Sequence, residues 1–152
     1  MAERQSEGQS EVLAGSCLCG GVGYEITGKV GPVVYCHCVQ CRKANGTAFA
    51  ANADVRTRYL RFTGDVDSIR EYESSPGKIR AFCTRCGAPV PIHDPEQPFV
   101  VIPAGCLDED PGTRPFRHIF VGLKAPWYEI HDDLPQFEGH VPPEQRLPRK
   151  AT

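Results

Sequence analysis

The grouping of the cysteines constrains this chain more than any other feature of its sequence. Seven of the eight cysteines fall into a Cys-x-Cys pair, a Cys-x-Cys-x-x-Cys trio and a Cys-x-x-Cys pair, formed by Cys17 and Cys19, by Cys36, Cys38 and Cys41, and by Cys83 and Cys86. The eighth, Cys106, lies apart from these groups. Such short spacings are typical of metal ligands in a reducing compartment and of disulfide frameworks in secreted proteins.

The amino-terminal segment favours the reducing compartment. Residues 1–14 mix Glu, Gln, Ser and Arg without an apolar stretch, so we expect no signal peptide. No run approaches the ~18 apolar residues of a membrane span. We therefore expect a cytoplasmic protein that is not embedded in a membrane, in which clustered cysteines are reduced and bind metal.

The two cysteine pairs predict a closed structural zinc site. Tetrahedral zinc needs sulfur atoms about 2.3 Å away, and a gap of one or two residues lets a tight turn present two sulfurs to one ion. Gly87 directly follows the second pair and supplies the permissive backbone of such a turn. Cys17, Cys19, Cys83 and Cys86 would together tie the first strand to the middle of the chain.

The trio predicts a different kind of zinc site. Cys36, Cys38 and Cys41 supply three ligands from one short segment, and three protein ligands with an open position are typical of a reactive zinc. Three thiolates on a divalent ion leave one net negative charge, so the centre is a weak Lewis acid. Such a soft centre suits a substrate thiolate better than water activation, which predicts thiol or carbonyl chemistry.

Other assignments of the cysteines remain open at this point. The seven could form disulfides, although a cytosolic setting argues against this. The Cys83–Cys86 pair could be a redox motif, although no amphipathic helix follows it and Pro89 and Pro91 come soon after. Both zinc sites could be structural if His37 or a distant residue completed the second one. If one zinc ion bound the trio and one cysteine of a pair, the other cysteine of that pair would be left unpaired.

Glycine and proline punctuate the chain and favour an all-β fold. They number 15 and 14, and Val22, Tyr24 and Ile26 alternate with the period of two that is typical of a strand. We expect strands of this kind, separated by turns, at 21–27, 33–35, 47–51, 59–62, 78–83, 99–102 and 118–121. Only 39–44 favours a short helical turn.

The expected organisation is one domain between two polar tails. Residues 1–14 should be a disordered or frayed tail, residues 15–140 the zinc-binding domain, and residues 141–152 a polar carboxy-terminal tail. The 17 Lys and Arg stand against 19 Asp and Glu, which gives a net charge of −2. This balance argues against nucleic acid or an anionic membrane as a partner.

With these groups in place, the chain resembles the glutathione-dependent formaldehyde-activating enzyme family, which includes the centromere protein V homologues. The resemblance covers nearly all of the expected ordered part, and its stretches are GSCLCGGVGYEI from Gly15, YCHCVQCRKANGTAF from Tyr35, SSPGKIRAFCTRCGAPV from Ser74 and HIFVGLKAPWYEIHDDLPQF from His118. The order and separation of three cysteine groups make the resemblance specific.

The resemblance implies a single, zinc-stabilised, β-tent-like domain of short antiparallel strands with two zinc ions. It implies a carbon–sulfur lyase that joins glutathione to formaldehyde as S-(hydroxymethyl)glutathione, or splits that adduct. The two pairs would hold the structural zinc and the trio the catalytic zinc, which agrees with the spacing argument. A fold family alone does not fix the substrate, so another low-molecular-weight thiol remains open.

A mechanism follows from the charge argument as a hypothesis. A substrate thiolate would bind at or beside the open zinc position and attack the aldehyde carbon, while a nearby donor stabilises the developing alkoxide. Because glutathione carries two carboxylates, we expect cationic side chains along its approach. Arg42 and Lys43 are the nearest candidates, with a solvated turn charge as the alternative. Trp127 would wall the pocket or pack in the core.

Several single residues are assigned more modest roles. We expect His37 to support the ligands or pack rather than bind metal, since an extended backbone directs it away from its neighbours. Cys106 is expected to be a small buried apolar residue. Asp132 and Asp133 are expected to form a turn or cap rather than an acid–base pair. His93, His131 and His140 have no informative spacing.

Two functions without catalysis remain as alternatives to the lyase. One is a zinc-stabilised module that binds a protein or chromatin partner, and the other is a small chaperone-like domain. The charge balance argues against nucleic acid as that partner.

Overall fold

Short strands joined by tight turns form most of the regular structure. The structure is a computed structural model that describes residues 11–92 and 94–146. Within these ranges it contains one α-helix, α1, and ten strands. The elements are β1 (Leu13–Ser16), β2 (Val22–Ile26), β3 (Val33–Cys36), α1 (Val39–Asn45), β4 (Ala50–Arg56), β5 (Leu60–Gly64), β6 (Ile69–Ser75), β7 (Lys78–Cys83), β8 (Pro89–Val90), β9 (Phe99–Pro103) and β10 (Pro115–Ile119). The predicted all-β class is therefore confirmed.

The strands form three small sheets. Their orders are β1-β2-β5, β10-β3-β4-β9 and β6-β7-β8. Every pair is antiparallel except β3 and β10, which run parallel. The expectation of antiparallel strands is wrong at this one pair. Only strands joined by tight turns are obliged to be antiparallel, and here six other strands intervene in the sequence.

The first sheet supplies the centre of the core. Val22, Tyr24 and Ile26 of β2 are buried while the residues between them are not, which confirms the predicted alternation. Tyr24 and Ile26 pack against Val55 and Ile102 of the second sheet. Val22, at the start of the strand, packs instead against residues of the third sheet. The first sheet thus joins the other two.

Two strands have boundaries that differ from the predicted ones, and in both the burial of side chains does not alternate regularly. The strand expected at 47–51 is β4, which spans Ala50–Arg56, and the strand expected at 118–121 is β10, which spans Pro115–Ile119. Strand β6 was not predicted because it lies at a sheet edge and most of its charged and polar side chains are exposed. Strands β1 and β8 are short and were not predicted either.

The chain ends can be compared only in part with the predicted tails. Strand β1 begins at Leu13, two residues before the predicted domain start, because Leu13 pairs with Ile26. Near the other end, Pro143–Gln145 forms a 3-10 turn. The remainder of both predicted tails, residues 1–10 and 147–152, lies outside the described residues. No helix in the described ranges is long and apolar enough to span a membrane.

Substitution of Gly64 tests directly how closely the end of β5 approaches the loop after β1. Its φ is +74°, and a Cβ there would lie 2.6 Å from the Gly21 carbonyl oxygen. Gly77 has a φ of +75° but no atom within 4 Å of such a Cβ. We expect Gly77→Ala to lower the free energy of unfolding by about 1 kcal/mol, from backbone strain alone. Gly64→Ala should lower it by about 2 kcal/mol or more, because backbone must also move.

Denaturant unfolding of the two alanine variants and the unaltered protein, under the same metal conditions, measures this difference. Equal losses for the two variants would contradict the close approach of Gly64 to the Cys19–Val22 loop.

Candidate functional site

The structure brings four cysteine sulfurs together, and we call them the quartet. Cys17, Cys19, Cys83 and Cys86 have all their sulfur atoms within 4.8 Å of one another and could hold a metal ion. The Cys19 sulfur lies 3.6 Å from that of Cys17 and 3.8 Å from that of Cys83. Four ligands about 2.3 Å from a tetrahedral zinc lie about 3.8 Å from one another, so these separations fit zinc.

Local backbone geometry explains why the quartet forms. Cys17 directly follows β1, and its sulfur accepts a hydrogen bond from the Val22 N–H at 3.2 Å. Cys83 ends β7, and a turn closed by the Gly87 N–H on its carbonyl, at 2.7 Å, brings Cys86 back beside it. The Ala88 backbone N–H lowers the pKa of Cys86 to about 6. Backbone donors therefore favour thiolates at Cys17 and Cys86.

A second sulfur cluster, the trio, consists of Cys36, Cys38 and Cys41, whose sulfurs also lie within 4.8 Å of one another. Cys36 is the last residue of β3, and Cys38 is the N-cap of α1. The Cys38 sulfur accepts a hydrogen bond from the Cys41 N–H at 3.3 Å, so the helix start itself sets their spacing. No fourth His, Cys, Asp or Glu ligand joins the trio within the described residues.

Arg80 is a charged neighbour of the trio that the sequence analysis missed. Its guanidinium Nη2 lies 3.8 Å from the Cys41 sulfur, and its Nε donates to the Ser74 hydroxyl at 3.0 Å. Hydrogen bonds from Cys36 and Cys38, and then Arg80, lower the pKa of Cys41 to about 5. The same contact with Cys41, together with burial, raises the pKa of Cys36. These contacts favour a thiolate in the trio.

Strand periodicity places Arg80 and Cys83 on opposite faces of β7. Arg80 faces the trio and Cys83 faces the quartet, three residues further on. The alternation within Lys78–Cys83 was the available signal for this arrangement, but nothing in the sequence indicated that Cys41 lies near that face.

The predicted substrate-contacting residues lie in different environments. Arg42 is half-buried on α1, and its buried Nε has no hydrogen-bond partner among the described residues. Lys43 is exposed. Trp127 is 71% exposed and touches Tyr128 edge-on, so it does not pack in the core. Cys106 is half-buried rather than buried, with its thiol 3.4 Å from the Pro89 carbonyl oxygen.

Two buried histidines lie beside the trio. His37, between two trio cysteines, is fully buried and its Nε2 lies 2.8 Å from Nδ1 of His118. His118 Nε2 lies 3.1 Å from both carboxylate oxygens of Asp132. Asp132 also accepts the Leu134 N–H at 3.0 Å, which is the turn role expected for it. The contact between His37 and His118 was not expected, because these two residues are 81 positions apart in the sequence.

A hollow of about 440 Å³ is separated from the trio by one residue. Its wall includes Ala50, which packs on Cys36 and Cys41, and also Cys106, but none of the trio cysteines. This volume lies within the range of small-molecule sites, about 300–1,000 Å³. A larger hollow of about 590 Å³ borders Phe62 and Ile69, beside the quartet, and contains no cysteine in its wall.

Comparison with known proteins identifies the family. Residues 12–123 match the family described as glutathione-dependent formaldehyde-activating enzyme. A protein of Halomonas elongata named "Putative glutathione-dependent formaldehyde-activating enzyme" is 33% identical over 135 residues, which cover 78% of this chain and 81% of that protein. A crystal structure of a Rhodobacter sphaeroides protein aligns with 64% of this chain and 89% of its own, at 24% identity and a TM-score of 0.49.

The match spans both cysteine clusters, β7 with Arg80, and the strand that carries His118. This chain belongs to the glutathione-dependent formaldehyde-activating enzyme family.

Proposed function

We propose that this protein is a zinc-dependent carbon–sulfur lyase that makes or splits a thiol–aldehyde adduct, in the manner of an S-(hydroxymethyl)glutathione synthase. The observation that carries the proposal is the trio, which gathers three thiols without a fourth side-chain ligand among the described residues, with Ala50 between it and a hollow. Three donors and an adjacent space are the arrangement expected of a reactive metal site. Membership of the family supports glutathione and formaldehyde as substrates.

In this proposal the two clusters have different tasks. The quartet, Cys17, Cys19, Cys83 and Cys86, holds a structural zinc, and Cys36, Cys38 and Cys41 hold a catalytic zinc. When bound by three thiolates, zinc supplies a soft electrophilic centre with an open position that favours a thiolate ligand. Eight unpaired cysteines support a reducing compartment, and we propose the cytoplasm.

The chemical step needs only a thiolate, an aldehyde and a proton. The sulfur donates an electron pair to the aldehyde carbon and forms the carbon–sulfur bond. The carbonyl π electrons move to oxygen, which takes a proton and becomes the hydroxyl of the adduct. The reverse reaction breaks the same bond and returns the proton. The hollow beside Ala50 would hold the thiol, while Arg42 and Lys43 would attract its carboxylates and Trp127 would border the entrance.

Arg80 offsets the charge of the trio. Three thiolates and a divalent ion carry one net negative charge, and the Arg80 guanidinium lies 3.8 Å from the Cys41 sulfur. A cation at this distance stabilises the thiolates without ligating the metal.

Substitution of one cysteine in each cluster tests whether the quartet is structural and the trio catalytic. We expect Cys83→Ser to give misfolded or insoluble protein, because a structural zinc contributes about 10–16 kcal/mol against a net stability of about 5–15 kcal/mol. Cys38→Ser should fold normally but lose activity and one metal ion, because the trio comes from one local segment. Metal analysis, solubility and circular dichroism measure these outcomes, with about two zinc ions expected per unaltered chain. If Cys38→Ser unfolds the protein and Cys83→Ser does not, the two assignments are reversed.

Substitution of Arg80 tests its electrostatic role. We expect Arg80→Met to weaken metal retention at the trio about 10- to 100-fold, the usual cost of losing a group that supports metal ligands. Competition with a chelator measures the affinity. Arg70→Met is the matched control, because Arg70 lies exposed on the neighbouring strand and its loss changes the net charge equally. Equal retention in both variants would show that the Arg80 contact contributes nothing.

Exchange kinetics test the reaction itself. Nuclear magnetic resonance can follow formaldehyde exchange with glutathione and with other small thiols in the presence of the unaltered protein and of Cys38→Ser. We expect faster exchange with the unaltered protein for its preferred thiol and only the spontaneous rate with the variant. Equal rates for the two proteins with every thiol would reject the lyase and favour the zinc-stabilised binding module.

A further inference from the structure

Phe120 has an unusual backbone conformation directly after β10. Its φ is +56° and its ψ is +37°, and no other described residue apart from the glycines has a positive φ. In this left-handed region the Cβ atom crowds the backbone, so the conformation is unfavourable for a residue with a bulky side chain. Such strain persists only where the surrounding structure fixes it, and it collects at functional sites.

Contacts with a later part of the chain hold Phe120 in this conformation. Its N–H donates to the Gly139 carbonyl oxygen at 3.1 Å, and its own carbonyl oxygen accepts from the Leu123 N–H at 3.0 Å. The ring of His140 meets the Phe120 ring edge-on, with the centroids 4.6 Å apart. The direction of the Phe120 side chain is therefore fixed by its backbone and by its neighbours.

The Phe120 ring lies against the trio. It packs on the buried cluster that contains Ala50 and two of the trio cysteines, Cys36 and Cys41. The third cysteine, Cys38, packs on the same cluster, and both Cys38 and Phe120 are only half-buried. Because the other members of this group are buried, a small molecule reaches the trio from the side on which Cys38 and Phe120 lie.

Formation of the carbon–sulfur bond brings the aldehyde into this space. The aldehyde carbon has to approach a sulfur atom held at the trio, so any group that it carries lies among the side chains that border the trio. Formaldehyde carries only hydrogen atoms, whereas acetaldehyde adds a methyl group. Since the Phe120 ring is fixed, it cannot move aside for that methyl group without disturbing the contacts that hold it.

We propose that Phe120 is a specificity-determining residue whose ring restricts the aldehyde substrate to formaldehyde. This inference rests on the proposed function, because the lyase reaction supplies the aldehyde. The ring takes no part in making or breaking the carbon–sulfur bond. The left-handed backbone directs it towards the trio, and the exposed His140 supports it.

Aldehyde selectivity tests the proposal. Nuclear magnetic resonance measures the exchange of glutathione with formaldehyde and with acetaldehyde, each corrected for its spontaneous rate. We expect Phe120→Ala to raise the ratio of the acetaldehyde rate to the formaldehyde rate about 10-fold or more, the usual effect of one methyl-sized group in an apolar site. Phe116→Ala is the matched control, because it removes a half-buried aromatic ring from β10. An unchanged ratio in Phe120→Ala, or an equal rise in both variants, would overturn the proposal.

A second variant separates loss of the ring from damage to the fold. Glycine adopts a positive φ without strain, so Phe120→Gly should unfold at a higher denaturant concentration than Phe120→Ala. Both variants lack the ring and should show the same raised ratio. A raised ratio in only one of them would mean that the backbone, and not the ring, sets the selectivity, which contradicts the proposal.

Contact between the ring and the adduct can be measured without following turnover. In the zinc-loaded unaltered protein with glutathione and carbon-13-labelled formaldehyde, nuclear Overhauser effects should connect the labelled methylene group to the ring protons of Phe120. If the methylene group contacts other side chains instead, or none, the proposal is wrong, while catalysed formaldehyde exchange would still support the lyase. Exchange at only the spontaneous rate would reject the lyase itself.

Discussion

The meeting of four cysteine sulfurs between the first and third sheets is the contact on which the rest of the architecture depends. Cys19 and Cys83 are 64 residues apart in sequence, yet their sulfurs lie 3.8 Å from each other. Cys17 and Cys83 pack in one apolar cluster with Val22, Ala81 and Val90, and Phe62 and Ile69 lie against it. Thiolates packed this closely need a cation to offset their repulsion.

One strand connects the two sulfur clusters. β7 presents Cys83 to the quartet on one face and Arg80 to the trio on the other. Since side chains alternate along a strand, the register of β7 against β6 sets both positions together. A displacement of one residue would remove Cys83 from its cluster and turn Arg80 away from Cys41. The quartet and the surroundings of the trio are thus adjusted by the same backbone pairing.

Local features of the sequence were sufficient to predict part of this structure. The three cysteine groups and the alternation of β2 could be interpreted because each is complete within a few residues, and the helical turn at 39–44 corresponds to α1. Contacts across the fold could not be predicted in this way. Arg80 meets Cys41 over 39 residues, and His37 meets His118 over 81. Such pairs leave no periodic pattern in the sequence.

The parallel pairing of β3 and β10 is another long-range contact that could not be predicted from the sequence. It places Ile119 opposite Cys36 and His118 opposite Tyr35, and so brings β10 against the strand that ends in the first trio cysteine. A fold dominated by hairpins gives no local sign of such a pair, because its strands are far apart along the chain.

The compactness of the trio has an evolutionary consequence. All three of its sulfurs come from the six residues between Cys36 and Cys41, whereas the quartet joins the beginning of the chain to its middle. A descendant could therefore replace the trio by a few neighbouring substitutions and still assemble its sheets around the quartet. Within one lineage, catalysts and non-catalytic adaptors can share this scaffold, and the presence of the distant four-cysteine framework alone does not distinguish one from the other.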